Sequence, residues 1–213
     1  MPVPFKLPRF YPILDTATLR VRNCPVATAS EALFDAGVKI VQYRHKDEWE
    51  QRHFDEAREL AERCQDLGVL FVLNDRADYA GVLRTALHIG QEDLTPAAAR
   101  TLISDEIMGY STHNREQLEA ANLAPVEYLS LGPIFSTNSK LRPDPVVGLD
   151  GLAALRPLTS KPLVAIGGIS LENAKAVLAT KADSLAVISQ ILPEKVDQKS
   201  IRRRAEEWLT ALA

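Results

Sequence analysis

Short apolar runs alternate along the whole chain with stretches that carry apolar residues on one helical face. The runs are almost continuously apolar, which is typical of parallel strands that are buried on both faces. The pattern predicts strands at Tyr11–Leu14, Lys39–Tyr43, Leu70–Leu73, Leu87–Ile89, Ile107–Tyr110, Tyr128–Leu131, Leu163–Ile166 and Leu185–Ile188.

The clearest helical pattern covers Gln51–Leu67, and Gly68 follows it as a natural helix end. A strand followed by a helix about eight times in 213 residues predicts an α/β protein, a (β/α)8 TIM barrel with residues 1–213 as a single domain. A doubly wound sheet is the alternative, but it usually has a glycine-rich turn after its first strand, and Asp15-Thr16-Ala17 has none. Residues 1–10 contain three prolines and are predicted to form an extended arm.

The composition is that of a globular protein with an ample core, since 46% of the residues are apolar. The chain has 25 basic and 28 acidic residues, which does not indicate a nucleic-acid surface, and no apolar run long enough to span a bilayer. Cys24 and Cys64 lack the spacing of a metal site. We therefore expect a reduced, cytoplasmic protein that acts on small molecules, with a homo-oligomer left open.

Polar residues follow the predicted strands at their C-terminal ends, where the active sites of barrels lie. Arg44 and Lys46 follow the second strand, Asp75 the third and Asp93 the fourth, while Lys140 ends the loop after the sixth. Three cations suit a pyrophosphate, and two carboxylates together with substrate phosphates suit Mg²⁺. The alternatives are a helix cap for Asp75, a helix-dipole contact for Asp93, and solvated side chains for the cations.

Two loops are suited to phosphate binding. The loop Gly132–Lys140 opens with glycine and proline and carries three hydroxyl side chains and a lysine. Gly167 and Gly168 follow the seventh predicted strand and Ser189 follows the eighth, which is the usual place of a phosphate in a barrel. These loops predict a second substrate that is a monophosphate. His88 lies within a strand and is interpreted as a core histidine.

Six ordered segments between Tyr11 and Ile191 resemble the thiamine-phosphate synthase family. They are Val41–Lys46, Leu73–Arg76, His88–Asp93, Gly109–His113, Gly132–Phe135 with Thr137–Lys140, and Ala165–Ile169. The resemblance implies a transferase that couples 4-amino-5-hydroxymethyl-2-methylpyrimidine pyrophosphate to a thiazole phosphate. The products would be thiamine phosphate and pyrophosphate, and the cofactor would be Mg²⁺.

The resemblance also implies roles for individual residues. By similarity, the pyrimidine pyrophosphate is bound by Gln42, Tyr43, Arg44, His45, Lys46, Asn74, Ser111 and Lys140. The thiazole phosphate is bound by Thr137, Asn138, Ser139, Gly168, Ile188 and Ser189. The metal ligands are Asp75 and Asp93. The catalytic residues are Arg44, Lys46, Ser111 and Lys140.

The family mechanism is dissociative: pyrophosphate leaves first, and the thiazole nitrogen captures a pyrimidine-stabilised cation. Such a reaction needs positive charge where the leaving group develops negative charge. His45 and Tyr43 depart from the family, which has a glutamate and an aliphatic residue there, and both are predicted on the pyrimidine side of the pocket. The alternatives are a thiazole tautomerase-like isomerase that depends on His113, and a non-catalytic protein that binds thiamine precursors.

Overall fold

A closed barrel of eight parallel strands forms the centre of the computed structural model, which describes residues 6–137 and 144–213. The strands are Phe10–Asp15 (β1), Ile40–Arg44 (β2), Leu70–Asn74 (β3), Ala86–Ile89 (β4), Met108–Thr112 (β5), Tyr128–Leu131 (β6), Leu163–Ile166 (β7) and Ser184–Val187 (β8). They pair in chain order, and β8 closes onto β1. The predicted barrel and each of its predicted strands are confirmed.

The helices lie around the barrel, and each strand is followed by at least one of them. They are Thr16–Val21 (α1), Val26–Ala36 (α2), Gln51–Leu67 (α3), Ala77–Leu83 (α4), Pro96–Ile103 (α5), Arg115–Ala121 (α6), Gly148–Leu155 (α7), Ala174–Ala179 (α8) and Gln198–Ala211 (α9). Short 3-10 turns follow at Arg156–Leu158 and Ser189–Ile191. The predicted bounds of the helix over Gln51–Leu67 are confirmed.

Local sequence signals set several helix ends. The Thr95 side chain accepts a hydrogen bond from the N–H of Ala98, and Pro96 takes the first position of α5, where its missing N–H has no cost. Gly68 ends α3 in the left-handed conformation, with φ at +63°, and this conformation strains other residues. These signals fix where α5 begins and where α3 ends.

The apolar core has two layers, because successive side chains of a strand point to opposite faces. The inner layer, inside the barrel, consists of Leu7, Tyr11, Ile13, Ile40, Val72, Ala86, Tyr128, Val164 and Ala186. The outer layer joins strands to helices, and in it Trp208 of α9 stacks on Phe10 with ring centroids 5.6 Å apart. Leu7 is buried and Phe10 belongs to β1, which corrects the C-terminal bound of the arm predicted for residues 1–10; residues 1–5 lie outside the described residues.

All eight strands run in the same direction, so their C-terminal ends open on one end of the barrel, which we call the mouth. The loops that leave these ends carry the polar residues that the sequence pattern singled out. Within the described part of the chain, no helix combines the length and the apolar character needed to cross a membrane.

Candidate active site

Arg44 and Asp15 form a buried ion pair at the mouth. Arg44 ends β2 and Asp15 ends β1, and the strand register places the two residues side by side. Their charged groups are in contact, and only 14% of the Arg44 side chain is exposed. The other Asp15 oxygen accepts hydrogen bonds from the backbone N–H and the hydroxyl of Thr18, at 2.8 and 2.7 Å. The guanidinium is therefore oriented by protein and is not a solvated surface charge.

Lys46, Asp75 and Asp93 form a second charged cluster beside the first. The Lys46 ammonium contacts the Asp75 carboxylate, and the Asp93 carboxyl group is hydrogen-bonded to Asp75. Burial and the neighbouring Asp93 raise the pKa of Asp75 to about 6, although Lys46 acts in the opposite direction. Two carboxyl groups that crowd each other in this way are stabilised as anions when a cation binds between them.

The two carboxylates fit the chemistry of Mg²⁺. Neither caps the helix that follows it, since α4 begins without a side-chain cap and Thr95 caps α5. Asp93 is instead oriented by the N–H of Gly90, which donates to it at 2.7 Å. Over residues 6–137 and 144–213 there is no group of three or more histidine, cysteine, aspartate and glutamate side chains that could hold a metal. Two carboxylates would leave the remaining Mg²⁺ positions to substrate phosphates and water.

Asn74 and Ser111 lie inside the barrel near the mouth. Asn74 is buried, and its side-chain nitrogen Nδ2 has no hydrogen-bond partner among the described residues. A buried donor without a partner costs about 1–3 kcal/mol, so Asn74 Nδ2 is available to an acceptor atom of a bound group or of water. The Ser111 Oγ atom lies 2.9 Å from His88 Nε2 and 3.2 Å from Ser130 Oγ. His88 is thus a hydrogen-bonded histidine inside the barrel.

Tyr43 does not face the mouth, so its predicted place among the pyrimidine-binding side chains is corrected. Side chains alternate along β2, and because Gln42 and Arg44 point into the barrel, Tyr43 points outward. The Tyr43 ring is buried in the outer core layer, and its hydroxyl donates a hydrogen bond of 2.7 Å to Glu56 of α3. The alternation along the strand was the sequence signal for this orientation.

His45 is also turned away from the mouth, which corrects its predicted contact with the pyrimidine. Its Nδ1 atom lies 2.7 Å from the Thr16 hydroxyl, and its ring stacks on His53 with centroids 3.8 Å apart. These partners belong to α1 and α3, outside the barrel. His45 also lines an outer cavity of about 370 Å³ together with His53 and Glu56. His45 therefore packs the β2–α3 loop against the outer helices α1 and α3.

The loop after β6 lies against the glycine turn after β7. The N–H of Phe135 donates to the carbonyl of Gly167 at 3.0 Å. Gly168 has φ at +64°, and a Cβ atom there would lie 2.6 Å from the carbonyl oxygen of Ser136, so only glycine fits. Thr137 is half-buried beside this contact. The other predicted residues of the loop, Asn138, Ser139 and Lys140, lie outside the described residues.

The remaining predicted phosphate-binding residues lie at the same mouth. Ile188 follows β8 and packs against the inner layer, while Ser189 is exposed at the start of the next 3-10 turn. Gly168 is exposed as well. Because all eight strands are parallel, residues that follow β7 and β8 lie at the same end of the barrel as Arg44 and Asp15.

His113 connects the end of β5 to the loop after β6. Its Nδ1 atom is 2.6 Å from the carbonyl of Gly132, so it carries the proton and donates it. Its Nε2 atom lies 3.6 Å from the carboxylate of Asp144, where the described chain resumes. His113 thus contacts both ends of the loop, which is a positioning arrangement.

The sequence pattern did not indicate Asp15 or the hydroxyl groups of Tyr11 and Tyr128 inside the barrel. Asp15 lies at the C-terminal end of the first strand, which is the position that marks functional residues in this fold, so that rule would have found it. Tyr11 and Tyr128 read as ordinary apolar strand residues, and only the structure brings their hydroxyls to 2.9 Å from each other.

An eight-stranded parallel barrel with paired cations and carboxylates at its C-terminal mouth defines the class of TIM-barrel enzymes that bind phosphorylated small molecules. The comparison with known families gives the particular member of this class. The family model described as thiamine monophosphate synthase matches residues 10–191. The chain belongs to this family.

Individual relatives agree with the family over nearly the whole chain. A thiamine-phosphate synthase of Koribacter versatilis is 45% identical over 211 residues, which is 97% of each chain. One of Chloroflexus aurantiacus is 38% identical over 185 residues, 86% of this chain and 85% of its own. The solved structure of a thiamine phosphate pyrophosphorylase from Pyrococcus furiosus superposes with a TM-score of 0.82 at 29% identity, over 96% of this chain and 95% of that one. The chain is therefore a transferase of the thiamine-phosphate synthase type.

Proposed function

We propose that this protein joins 4-amino-5-hydroxymethyl-2-methylpyrimidine pyrophosphate to thiazole phosphate, with Mg²⁺ as the cofactor. The observation that carries the proposal is the cluster of Arg44, Lys46, Asp75 and Asp93 at one side of the mouth. It combines two cations with two crowded carboxylates, which is the charge pattern that a departing pyrophosphate and its metal require.

The leaving group is bound by the side chains of β2 and β3. Arg44 is held through one side of its guanidinium by Asp15 and presents its other N–H donors to the pyrophosphate. Lys46 adds a compact positive charge beside Asp75, and the unpaired Asn74 Nδ2 donates to a phosphate oxygen. When bound by Asp75 and Asp93, Mg²⁺ would neutralise charge on the departing pyrophosphate.

The two substrates occupy opposite sides of the mouth in this proposal. The residues that bind the pyrophosphate follow strands β2 to β4. The residues proposed for the thiazole phosphate follow β6 to β8 and are Thr137, Gly168, Ile188 and Ser189. On the family resemblance alone, Asn138 and Ser139 are proposed for the thiazole phosphate as well, and Lys140 is proposed for the pyrimidine pyrophosphate as a catalytic cation. The pyrimidine ring lies between the two groups, over Gln42 and Ser111. Bond formation then joins two molecules that the barrel holds face to face.

The test is pyrophosphate release by the purified protein, with each substrate alone and with both, in Mg²⁺ and in excess chelator. We expect release that requires both substrates and Mg²⁺, with thiamine phosphate formed in equal amount. Conversion of a thiazole phosphate isomer without pyrimidine pyrophosphate or metal would contradict the proposal and support the isomerase. Binding of either substrate without any turnover would also contradict it and support the non-catalytic alternative.

A further inference from the structure

Aromatic rings join the β2–α3 loop to α4 on the outside of the barrel, at its mouth end. Trp49 belongs to this loop, and its ring centroid is 5.2 Å from that of Tyr79 in α4 and 5.9 Å from that of Tyr43 in β2. Phe54 of α3 also contacts Tyr79, at 5.0 Å between ring centroids. Trp49 and Tyr79 are both half-buried and pack against the outer core layer. Two successive β–α units are therefore joined by ring packing as well as by strand pairing.

The guanidinium of Arg76 lies against two of these rings. Its carbon atom is 3.5 Å from the ring centroid of Tyr79 and 5.1 Å from that of Trp49. Both distances lie within the range of about 6 Å over which a cation is attracted to the face of an aromatic ring. Asp78 accepts two hydrogen bonds from the same guanidinium, at 2.9 and 2.6 Å. Only 27% of the Arg76 side chain is exposed, so this cation is oriented by protein and is not a solvated surface charge.

The two chain segments that meet in this contact also carry site residues. Lys46 precedes Trp49 in the β2–α3 loop, and Asp75 directly precedes Arg76 after β3. At the mouth, the Lys46 ammonium contacts the Asp75 carboxylate. The same two segments are thus connected twice, by Trp49 and Arg76 on the outside and by Lys46 and Asp75 at the mouth. The position of Lys46 relative to Asp75 therefore depends on the outer contact.

The backbone turn at Asp75 needs support from its surroundings. Asp75 has φ at +66°, a conformation that residues other than glycine adopt only where neighbouring groups hold it. Its N–H donates to the carbonyl of His88 at 2.8 Å, which fixes the turn to β4. The helix α4 begins directly after Arg76 and has no side-chain cap. The Arg76 side chain then connects the other side of the turn to the β2–α3 loop.

We propose that Trp49, Arg76 and Tyr79, which we call the outer clamp, are positioning residues for the metal and the pyrophosphate. They act through Asp75 and Lys46 and not by contact with the ligands. A carboxylate and an ammonium that are already in place lose less freedom when Mg²⁺ and pyrophosphate bind. Because β6 and β7 lie opposite β2 and β3 in the closed barrel, binding of thiazole phosphate should not depend on the outer clamp. The inference rests on the proposed function for the identity of these ligands.

The experiment measures how far Mg²⁺ and inorganic pyrophosphate together raise the Tm of each variant. A titration with pyrophosphate at fixed Mg²⁺ gives an apparent Kd, and the unliganded transition shows that the variant is folded. We expect Trp49→Leu and Arg76→Gln to raise this Kd about tenfold, since each removes the contact between cation and ring. Trp49→Phe keeps an aromatic face and should stay within about twofold of the wild type. The double variant should lose little more than either single variant, because the two residues share one contact.

Steady-state kinetics and a matched control distinguish positioning from a general loss of structure. In Trp49→Leu and Arg76→Gln, the KM for the pyrimidine pyrophosphate should rise while the KM for thiazole phosphate stays the same. The control is Asp78→Asn, which leaves both rings in place and keeps an oxygen that can accept from Arg76. Its apparent Kd for pyrophosphate should equal that of the wild type.

An unchanged Kd in folded Trp49→Leu and Arg76→Gln overturns the inference, as does an equal rise in the KM for both substrates. A Kd that rises as much in Asp78→Asn as in Trp49→Leu would assign the orientation of Arg76 to the ion pair and overturn the role of the rings. If the wild type shows no turnover, the proposed function fails, and the Tm titrations then test the outer clamp by themselves. A wild type that Mg²⁺ and pyrophosphate do not stabilise overturns the inference.

Discussion

Arg44 depends on a residue that does not itself belong to the predicted binding set. Asp15 both orients the guanidinium and caps α1 through the N–H of Thr18. The position of the cation is thus tied to the start of the first helix. An oriented guanidinium loses less side-chain entropy when it binds phosphate than a free one does.

Asp15→Asn tests this dependence. Asparagine keeps an oxygen that can cap α1 but removes the charge that holds Arg44. We expect the KM for the pyrimidine pyrophosphate to rise about tenfold, because one charge-assisted interaction is lost, while the KM for thiazole phosphate stays the same. Steady-state kinetics with each substrate varied in turn measure both values. Asp55→Asn on the exposed side of α3 is the control, and equal kinetics in the two variants would contradict the role of Asp15.

Asp75 and Asp93, the proposed metal ligands, can be tested by substitution. Asp75 has φ at +66°, where asparagine is tolerated and alanine is strained, so Asp75→Asn and Asp93→Asn are the informative substitutions. Each should lower Mg²⁺-dependent kcat about a hundredfold, since the charge that holds the metal at the leaving group is halved. Titration of activity with Mg²⁺ measures this effect. Asp78→Asn, which changes an exposed partner of Arg76, is the control, and full activity in both site variants would remove the metal assignment.

At the scale of elements, β2 divides its side chains between two tasks. Gln42 and Arg44 face the inside of the barrel and the mouth, while Tyr43 binds α3 through Glu56. One strand therefore supports the site on one face and fixes a helix on the other. A change on the outer face should alter stability without altering the site.

Tyr43→Phe tests this division. The variant removes the hydroxyl that donates to Glu56 and should lower the free energy of unfolding by about 1 kcal/mol. The KM for the pyrimidine pyrophosphate should not change, since the ring lies in the outer core layer. Urea unfolding and steady-state kinetics on the same preparation measure both quantities. A raised KM at unchanged stability would contradict this division and show that Tyr43 takes part in substrate binding.

The elements could be read from the sequence where an apolar run has clear ends. The bounds of β6, β7 and α3 agree with the pattern, because polar or turn-forming residues enclose each run. β1, β2 and β3 extend beyond their patterns to Asp15, Arg44 and Asn74. Pairing with neighbouring strands continues through these polar residues, and hydrophobicity does not encode it.

The sequence pattern pointed to the loops at the mouth but not to the side-chain contacts within them. The rule that barrel residues act at strand ends pointed to Arg44, Asp75 and Asp93; the structure pairs Arg44 with Asp15 and brings Asp75 together with Asp93 and Lys46. The Gln42–Tyr11 and Tyr11–Tyr128 bonds join residues 31 and 117 positions apart, and no local pattern marks such contacts. Side-chain contacts at this separation follow from barrel closure and register.

At the scale of the whole molecule, closure of the barrel brings the two ends of the chain together. β1 pairs with β8, α9 packs on α2, and the Arg9 guanidinium donates to the carbonyl of Leu212 at 2.9 Å. The fully buried ring of Trp208 stacks on Phe10 within this contact between the two ends of the chain, which we call the seam. The last helix therefore holds the first strand, and with it Tyr11 and Asp15, in place.

Trp208→Ala should lower the free energy of unfolding by about 3–5 kcal/mol, because it leaves a large cavity at the seam. Urea unfolding followed by circular dichroism measures the change. Thr210→Ala, on the exposed side of the same helix, is the control and should shift stability by less than about 0.5 kcal/mol. Similar stabilities of the two variants would show that α9 does not secure the closure of the barrel.

The central claim is that this barrel joins two substrates at one mouth. The most direct measurement is the amount of thiamine phosphate formed from pyrimidine pyrophosphate and thiazole phosphate, compared with the pyrophosphate released in the same reaction. The account predicts equal amounts of the two products in Mg²⁺ and neither product in excess chelator. Pyrophosphate release without thiamine phosphate, or no release by folded protein that binds both substrates, would contradict it.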